Sequence, residues 1–307
     1  MSLEDTESPG ASPHSADSGR YGAAMGPTSI IVEHDGLGIH VLDWGGDGPP
    51  LLLAHPNGFC AGVFDPLARR LHGDYRAIGV DLRGHGASDR PATREACGYE
   101  HCAGDLLAAL DALELDGVLA IGQSLGGAAV ILLDRLAPGR VRRALLCEAI
   151  AMERAEPGRG GPSPQGAAMA VGARRRRVVW ADRDEVLASY GSRPPLDVFA
   201  HDALVAYVRY GFRDRPDGQV ELACPPEVEA WNFEAGGDGG SLAFAHLPAL
   251  AAPVTVLCGD TTDLPDAWFE AQARAARAPL VRVAGSHFFL QEDAEQAADL
   301  VREHLVW

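Results

Sequence analysis

The sequence lacks an apolar run long enough for a transmembrane helix, an apolar segment that could form the heart of a signal peptide, and any internal repeat. These absences point to a cytoplasmic location with no membrane partner. Positive charge is also scarce. The chain has 26 basic side chains against 43 acidic ones, a formal net charge of −17. That balance excludes nucleic acid and anionic membrane surfaces as partners. Six cysteines occur, Cys60, Cys97, Cys102, Cys147, Cys224 and Cys258, with no paired spacing. In a chain of this length they read as buried free thiols and not as a disulfide framework. Cys97, His101 and Cys102 have the look of metal ligands, but no second ligand pair follows, so no metal is expected. Nothing in the pattern speaks to oligomeric state.

What is present is an ordinary apolar content over 307 residues, enough to bury a sizeable core. Residues 1–27, acidic and rich in Ser, Pro and Gly, read as a disordered tail because they cannot offset their ordering entropy. From Ser29, SIIVEHDGLGIHVLDWGG reads as an antiparallel hairpin turning at Asp35-Gly36. Beyond it, short apolar runs alternate with helical patterns. PLLLAHPNG, YRAIGVDLRGHG, GVLAIGQS and VRRALLCEAI read as strands; VFDPLARRLHG, YEHCAGDLLAALDALEL and LGGAAVILLDRLAPG read as helices. The alternation breaks near residue 150 and resumes with PVTVLCGD and PLVRVAG. The strands total eight. The pattern predicts an α/β fold with a mostly parallel eight-stranded sheet, an N-terminal antiparallel hairpin and helices on both faces. Residues 151–250, mostly helical in pattern with loops such as EPGRGGPSPQG and RPDGQ, read as an insertion after strand six. It divides a core made of 28–150 and 251–307.

One serine stands out. In IGQSLGG, Ser124 follows an apolar strand directly and opens a helix. A serine at so sharp a turn needs strained backbone angles, so residues two before and two after must be tiny. Gly122 and Gly126 are. The turn lifts the hydroxyl above the carboxyl ends of the strands, beside the free N–H groups of a helix N-terminus. A hydroxyl in that position is a nucleophile once a base takes its proton.

With its context, this stretch resembles the α/β-hydrolase superfamily from about Ser29 to the end of the chain. The landmarks stand in family order: LLLAHPNGF, VDLRGHGASD, IGQSLGG, VTVLCGDTTDLP and AGSHFFLQED. The resemblance implies Ser124 as nucleophile and His287, in GSHF after the last strand, as base. It gives the oxyanion hole to the backbone N–H of Leu125 and to one in the HPNG loop, where Asn57 is favoured by spacing and Gly58 is the alternative. His85 in RGHG and His55 are read as structural. For the acid, the family commonly has Asp three residues after the Gly that ends the seventh strand, but here that position is Thr262 and Asp263 comes one residue late. Glu148, at the end of an apolar strand where some relatives carry their acid, is the favoured alternative, since a carboxylate there is costly unless paired.

The resemblance further implies that the 151–250 insertion is a helical cap over Ser124. Tyr190, Tyr207, Tyr210, Phe212, Trp231 and Phe233 are candidates for cap core or pocket wall. The basic run GARRRRVVW reads as a solvated helix face or one paired with nearby acids; an attraction for an acidic substrate is the alternative. The function implied is a carboxylesterase-like serine hydrolase. It would cleave an ester, lactone or similar small-molecule acyl substrate through an acyl-enzyme, with no metal or organic cofactor. C–C bond hydrolysis, lyase or cofactor-free perhydrolase chemistry, and a non-catalytic ligand-binding role, are the alternatives on the same fold.

Overall fold

The computed structural model describes residues 26–153 and 161–307. Most of the expected 1–27 tail, residues 1–25, and part of the expected EPGRGGPSPQG loop lie outside the described residues. The hairpin forms as expected. Strands β1 (Thr28–His34) and β2 (Leu37–Asp43) pair antiparallel around Asp35 and Gly36, both at positive φ. The chain then runs through β3 (Pro50–Ala54), α1 (Asp65–Leu71), β4 (Arg76–Val80), α2 (Tyr99–Ala112), β5 (Val118–Gln123), α3 (Leu125–Leu136) and β6 (Val141–Cys147). After the insertion come β10 (Val254–Gly259), α8 (Asp266–Ala276), β11 (Leu280–Val283), α9 (Phe289–Glu292) and α10 (Ala294–His304).

Eight strands form one sheet in the order β1-β2-β4-β3-β5-β6-β10-β11, parallel from β4 onward. Successive side chains of a strand point to opposite faces, and the core divides accordingly. Leu51, Leu53, Leu119 and Ile121 pack with Phe64, Leu67 and Val301 from α1, its preceding turn and α10. Leu52, Ala54, Val118 and Ala120 pack with Leu106, Leu110 and Ile131 from α2 and α3. All six cysteines are buried and free. No helix among the described residues is long and apolar enough to cross a membrane.

Strand order reverses at β3. The chain goes from β3 to β4 on one side and returns to β5 on the other. Loops leaving adjacent strands at such a switch point diverge and open a crevice at the carboxyl edge. Ala54 pairs with Gly122, so the loops carrying Asn57 and Ser124 leave the sheet side by side. Strand β6 ends sooner than its apolar run suggests. Glu148 takes φ +51, which turns the chain out of the sheet after Cys147.

The insertion carries α4 (Pro164–Ala173), α5 (Arg183–Tyr190), α6 (His201–Gly211) and α7 (Pro226–His246). It also holds three strands that periodicity does not reveal, β7 (Val179–Trp180), β8 (Phe212–Asp214) and β9 (Val220–Leu222), ordered β7-β9-β8 and antiparallel. Strands of two or three residues are too short to display a period of two. Ser163, expected in a loop, caps α4 by accepting from the Gly166 N–H. Both ends of the insertion are clamped to the core. At its exit, Gln272 Nε2 donates to the carbonyls of Ala149 and Ala151, each at 2.8 Å. At its return, buried Asp134 accepts from His246 Nε2 and from the N–H groups of Ala251 and Ala252.

The constraint that bears on the Ser124 turn lies between α3 and β3. A Cβ on Gly126 would sit 2.1 Å from the Ala54 carbonyl oxygen, and one on Gly122 would sit 2.6 Å from the Gly126 carbonyl oxygen. Gly126→Ala therefore forces backbone apart and should destabilise the fold by about 3 kcal/mol or more. Gly172→Ala, in α4 where an added Cβ meets nothing within 4 Å, should be neutral or stabilising by about 0.5–1 kcal/mol. Urea unfolding of the two variants checks the contrast; equal stabilities would contradict it.

Candidate active site

Ser124 occupies the turn between β5 and α3 with φ 56° and ψ −117°, a region that costs about 1–3 kcal/mol for a side-chain-bearing residue. Its backbone is held from the neighbouring strand end. The Ser124 N–H donates to Cys147 O at 3.0 Å, and its carbonyl accepts from the Ile150 N–H at 3.1 Å. The hydroxyl makes no capping bond to α3 and faces a cavity of about 590 Å³, which His287 also lines.

His287 follows β11, and its Nδ1 lies 3.0 Å from Glu148 Oε2. Glu148 is fully buried. Its carboxylate also accepts from the Gly259 N–H at 2.7 Å and from Thr262 Oγ1 at 2.8 Å. Those two donors fix both carboxylate oxygens and leave Oε2 aimed at the imidazole. Of the two candidate acids, the fold brings Glu148 to His287. Asp263 is exposed and lines the cavity, with no hydrogen bond to His287. The reason is the early end of β6, which carries Glu148 under the histidine, and the presence of Thr262 where the family commonly has its Asp. The Thr262 hydroxyl holds the displaced carboxylate.

Gln123, just before the serine, makes contacts at the site that motif reading passed over. Its Nε2 donates to the His287 carbonyl at 3.0 Å and to Gln291 Oε1 at 3.0 Å, and Gln291 Nε2 donates back to Gln123 Oε1 at 2.9 Å. The His287 backbone and the strand that ends at Ser124 are thus tied through one buried amide. The available signal was a polar residue closing an otherwise apolar strand.

In the HPNG loop one of the two candidate N–H groups is engaged. The Gly58 N–H donates to His85 Nε2 at 3.0 Å, while His85 Nδ1 donates to Arg83 O at 3.1 Å, so that N–H is committed. Among the described residues, the backbone N–H groups of Asn57 and Leu125 have no acceptor, and both residues line the cavity. The Asn57 side chain points away from it and donates to Glu229 O at 2.9 Å. His55 is equally occupied, donating from Nδ1 to Pro56 O and accepting at Nε2 from the Leu82 N–H. Of the six insertion aromatics, Phe233 lines this cavity. Tyr190 and Tyr207 line a second one, Phe212 lies in the core, Tyr210 packs against it, and Trp231 packs with Cys97, Cys224 and Val228.

A second Ser–His–Asp chain exists elsewhere. Ser29 Oγ lies 2.6 Å from His40 Nε2, and His40 Nδ1 lies 2.8 Å from Asp81 Oδ2. Ser29 sits exposed on edge strand β1, in extended backbone, and does not line the cavity. It lacks the strained turn and the converging N–H groups that surround Ser124.

Residues 51–300 match the Alpha/beta hydrolase family. The chain is 39% identical over 124 residues to the non-heme chloroperoxidase of Streptomyces lividans, covering 39% of this chain and 44% of that protein. It is 38% identical over 92 residues to the esterase YbfF of Escherichia coli (strain K12), covering 30% of this chain and 35% of that protein. These matches span less than half the length of either relative. The solved structure of E-2-(acetamidomethylene)succinate hydrolase superposes with a TM-score of 0.75 over 91% of this chain and 99% of that chain, at 22% identity, a likeness of fold.

The two buried loop histidines set a pH dependence of stability. Burial pushes the His55 imidazole down to about 3 and the His85 imidazole down to about 4, from 6.5. The unfolded chain therefore binds more protons than the folded one over that window. Their contribution is fully present above pH 6.5 and is lost as pH falls toward 4, at up to about 1.4 kcal/mol per pH unit for each. His34 works oppositely, its pKa raised chiefly by the hydrogen bond to Asp105, so its contribution is lost only as pH rises above 6.5. Urea unfolding at pH 7.5, 6 and 5 should give falling stability below pH 6.5; a level curve would contradict neutral burial of both rings.

Proposed function

The chain belongs to the alpha/beta hydrolase family, and we propose that it is a serine hydrolase cleaving a carboxylic ester, lactone or similar acyl compound. One observation carries the reading. A single cavity is lined by a strained serine, a histidine backed by a buried carboxylate, and two unengaged backbone N–H groups. Ser124 Oγ attacks the acyl carbonyl while His287 Nε2 takes its proton. The His287 Nδ1–H donates to Glu148, which holds the tautomer and stabilises the imidazolium without taking the proton. The carbonyl oxygen becomes an oxyanion between the Asn57 and Leu125 N–H groups, each worth on the order of 3 kcal/mol in the transition state. Collapse expels the alcohol with the proton from His287. Water, deprotonated by the same imidazole, then releases the acid and restores Ser124.

Residues 151–250 act as the cap. Met152, Met169, Val198 and Phe233 come from that segment to the cavity wall, opposite Leu264, Trp268 and Phe288 from the core. A mainly apolar wall around about 590 Å³ suits an acyl group of small to medium size. The esterase and hydrolase named among the similar proteins agree with acyl transfer to water.

Ser124→Ala should lower turnover of a short-chain nitrophenyl ester by about four to six orders of magnitude. It should also abolish labelling by a fluorophosphonate, while Ser29→Ala keeps both. Labelling that depends on Ser29 would move the site to the other chain of residues. Glu148→Gln should cost about three to four orders of magnitude, because the imidazole is no longer held in its working tautomer. Asp263→Asn should stay within about tenfold of the parent, as a residue without contact to the base. Turnover of both variants in folded protein decides the acid; the reverse pattern would reassign it to Asp263.

A further inference from the structure

The insertion contains a second cavity, of about 550 Å³, separated from the catalytic one by Pro194 and Pro195, which line both. Its charge is opposite in sign to that of the whole chain. The wall includes Arg175, Arg176, Arg177 and Arg193, against the carboxylates of Glu185 and Glu229 alone. Three of these arginines come from the basic run after α4. Arg177 forks onto Glu185 at 2.7 and 3.0 Å. Arg176 pairs with Glu229 and donates to Tyr190 Oη at 3.1 Å and Tyr207 Oη at 2.9 Å. Among the described residues, Arg175 and Arg193, both solvent-exposed, have no carboxylate partner, and Arg193 lies 5.9 Å from the centre of the Tyr190 ring. Two guanidinium groups without a carboxylate partner therefore share a cavity with a third that is fixed. The catalytic cavity differs, with Asp197 and Asp263 on its wall and no arginine among the described residues.

We propose that this second cavity binds a small organic oxyanion, a carboxylate or phosphate, and that its occupancy is felt at the oxyanion loop. The planar guanidinium fork matches both groups in geometry, and charge-assisted bonds of this kind are the stronger ones. The chain has no lysine, so each of its 26 basic residues is such a fork. The route to the loop is short. Tyr207 accepts from Arg176 and donates to Gly58 O at 3.0 Å, while Glu229, paired with Arg176, accepts from the Asn57 side chain through its own carbonyl. Arg176 thus supports Asn57 and Gly58 from two sides. An anion that draws Arg176 away from Glu229 shifts the residues holding the Asn57 N–H, and linkage makes the effect reciprocal. The oxyanion is either a separate small molecule or the far end of an acyl substrate reaching past the shared prolines.

The test uses the full chain, phenyl phosphate as probe, and calorimetric titration at constant ionic strength. Saturable binding is expected, weakened at least about tenfold in the Arg175→Ala/Arg193→Ala double variant. It should persist after Ser124 is blocked by a phosphonate. Absence of saturable binding, binding unchanged in the double variant, or binding lost on phosphonylation would each overturn the site. This arm needs no turnover, so its failure is distinct from failure of the serine hydrolase reading. A kinetic arm separates the two sources of anion. If it is a separate molecule, phenyl phosphate changes kcat/KM on a neutral ester in the parent and not in the double variant. If it belongs to the substrate, the double variant raises KM about tenfold for an ester with a carboxylate-terminated acyl chain and leaves the neutral ester unchanged. No effect in either comparison would overturn the coupling to the oxyanion loop.

Discussion

No side chain fits between Gly126 and the Ala54 carbonyl, and that close approach of α3 to the end of β3 governs the rest of the site. It lets the helix begin immediately after Ser124, so the serine must absorb the reversal in its own φ and ψ. It also brings the N-terminus of α3 beside the loop that leaves β3. The Leu125 and Asn57 N–H groups therefore come from two adjacent elements on one side of the hydroxyl. Two glycines set this spacing, at the cost of helix and strand propensity at both positions.

Opposite the N–H groups, the histidine depends on a chain of polar contacts and not on packing alone. Glu148 is wholly buried, and its carboxyl group is met by a backbone N–H, a hydroxyl and the imidazole. Removing one partner would leave a buried polar group short of donors, which is why such an acid is stable only as part of the set. Gln123 adds a lateral tie by donating to the His287 carbonyl from the strand that ends at Ser124.

Much of this was legible in the sequence, and the parts that were not share a physical cause. The Asp35-Gly36 hairpin, the alternation of buried strands with helices, and the strand–turn–helix around Ser124 announce themselves through local periodicity and turn chemistry. The family match over residues 51–300 and the eight-stranded sheet agree with them. That Glu148 and not Asp263 is hydrogen-bonded to His287 follows from the point at which β6 leaves the sheet, at a single positive φ. That the Gly58 N–H is engaged follows from His85, which is 27 residues from Gly58 in sequence and directly bonded to it in space. Within the insertion, strands of two or three residues carry no period. The arginine run, read as a helix face or one paired with nearby acids, begins where α4 stops at Ala173; Arg174, Arg176 and Arg177 do pair with acids, and Arg175, Arg176 and Arg177 line a cavity. Local pattern describes elements; it does not say which loops meet.

The clamps at the two ends of the insertion fix where it leaves and rejoins the core, and between them Tyr207 and Glu229 reach the Asn57–Gly58 loop. Gln272 holds the chain through Ala151, just past the residues that serve Ser124 and His287, and Asp134 holds it again from His246 to Ala252. Between those two seams the polypeptide can lengthen, shorten or be exchanged without a change in the path of Glu148. A change of length within the insertion therefore leaves the Ser124 turn and the Glu148–His287 contact in register, so long as the contacts of Tyr207 and Glu229 to the Asn57–Gly58 loop are kept.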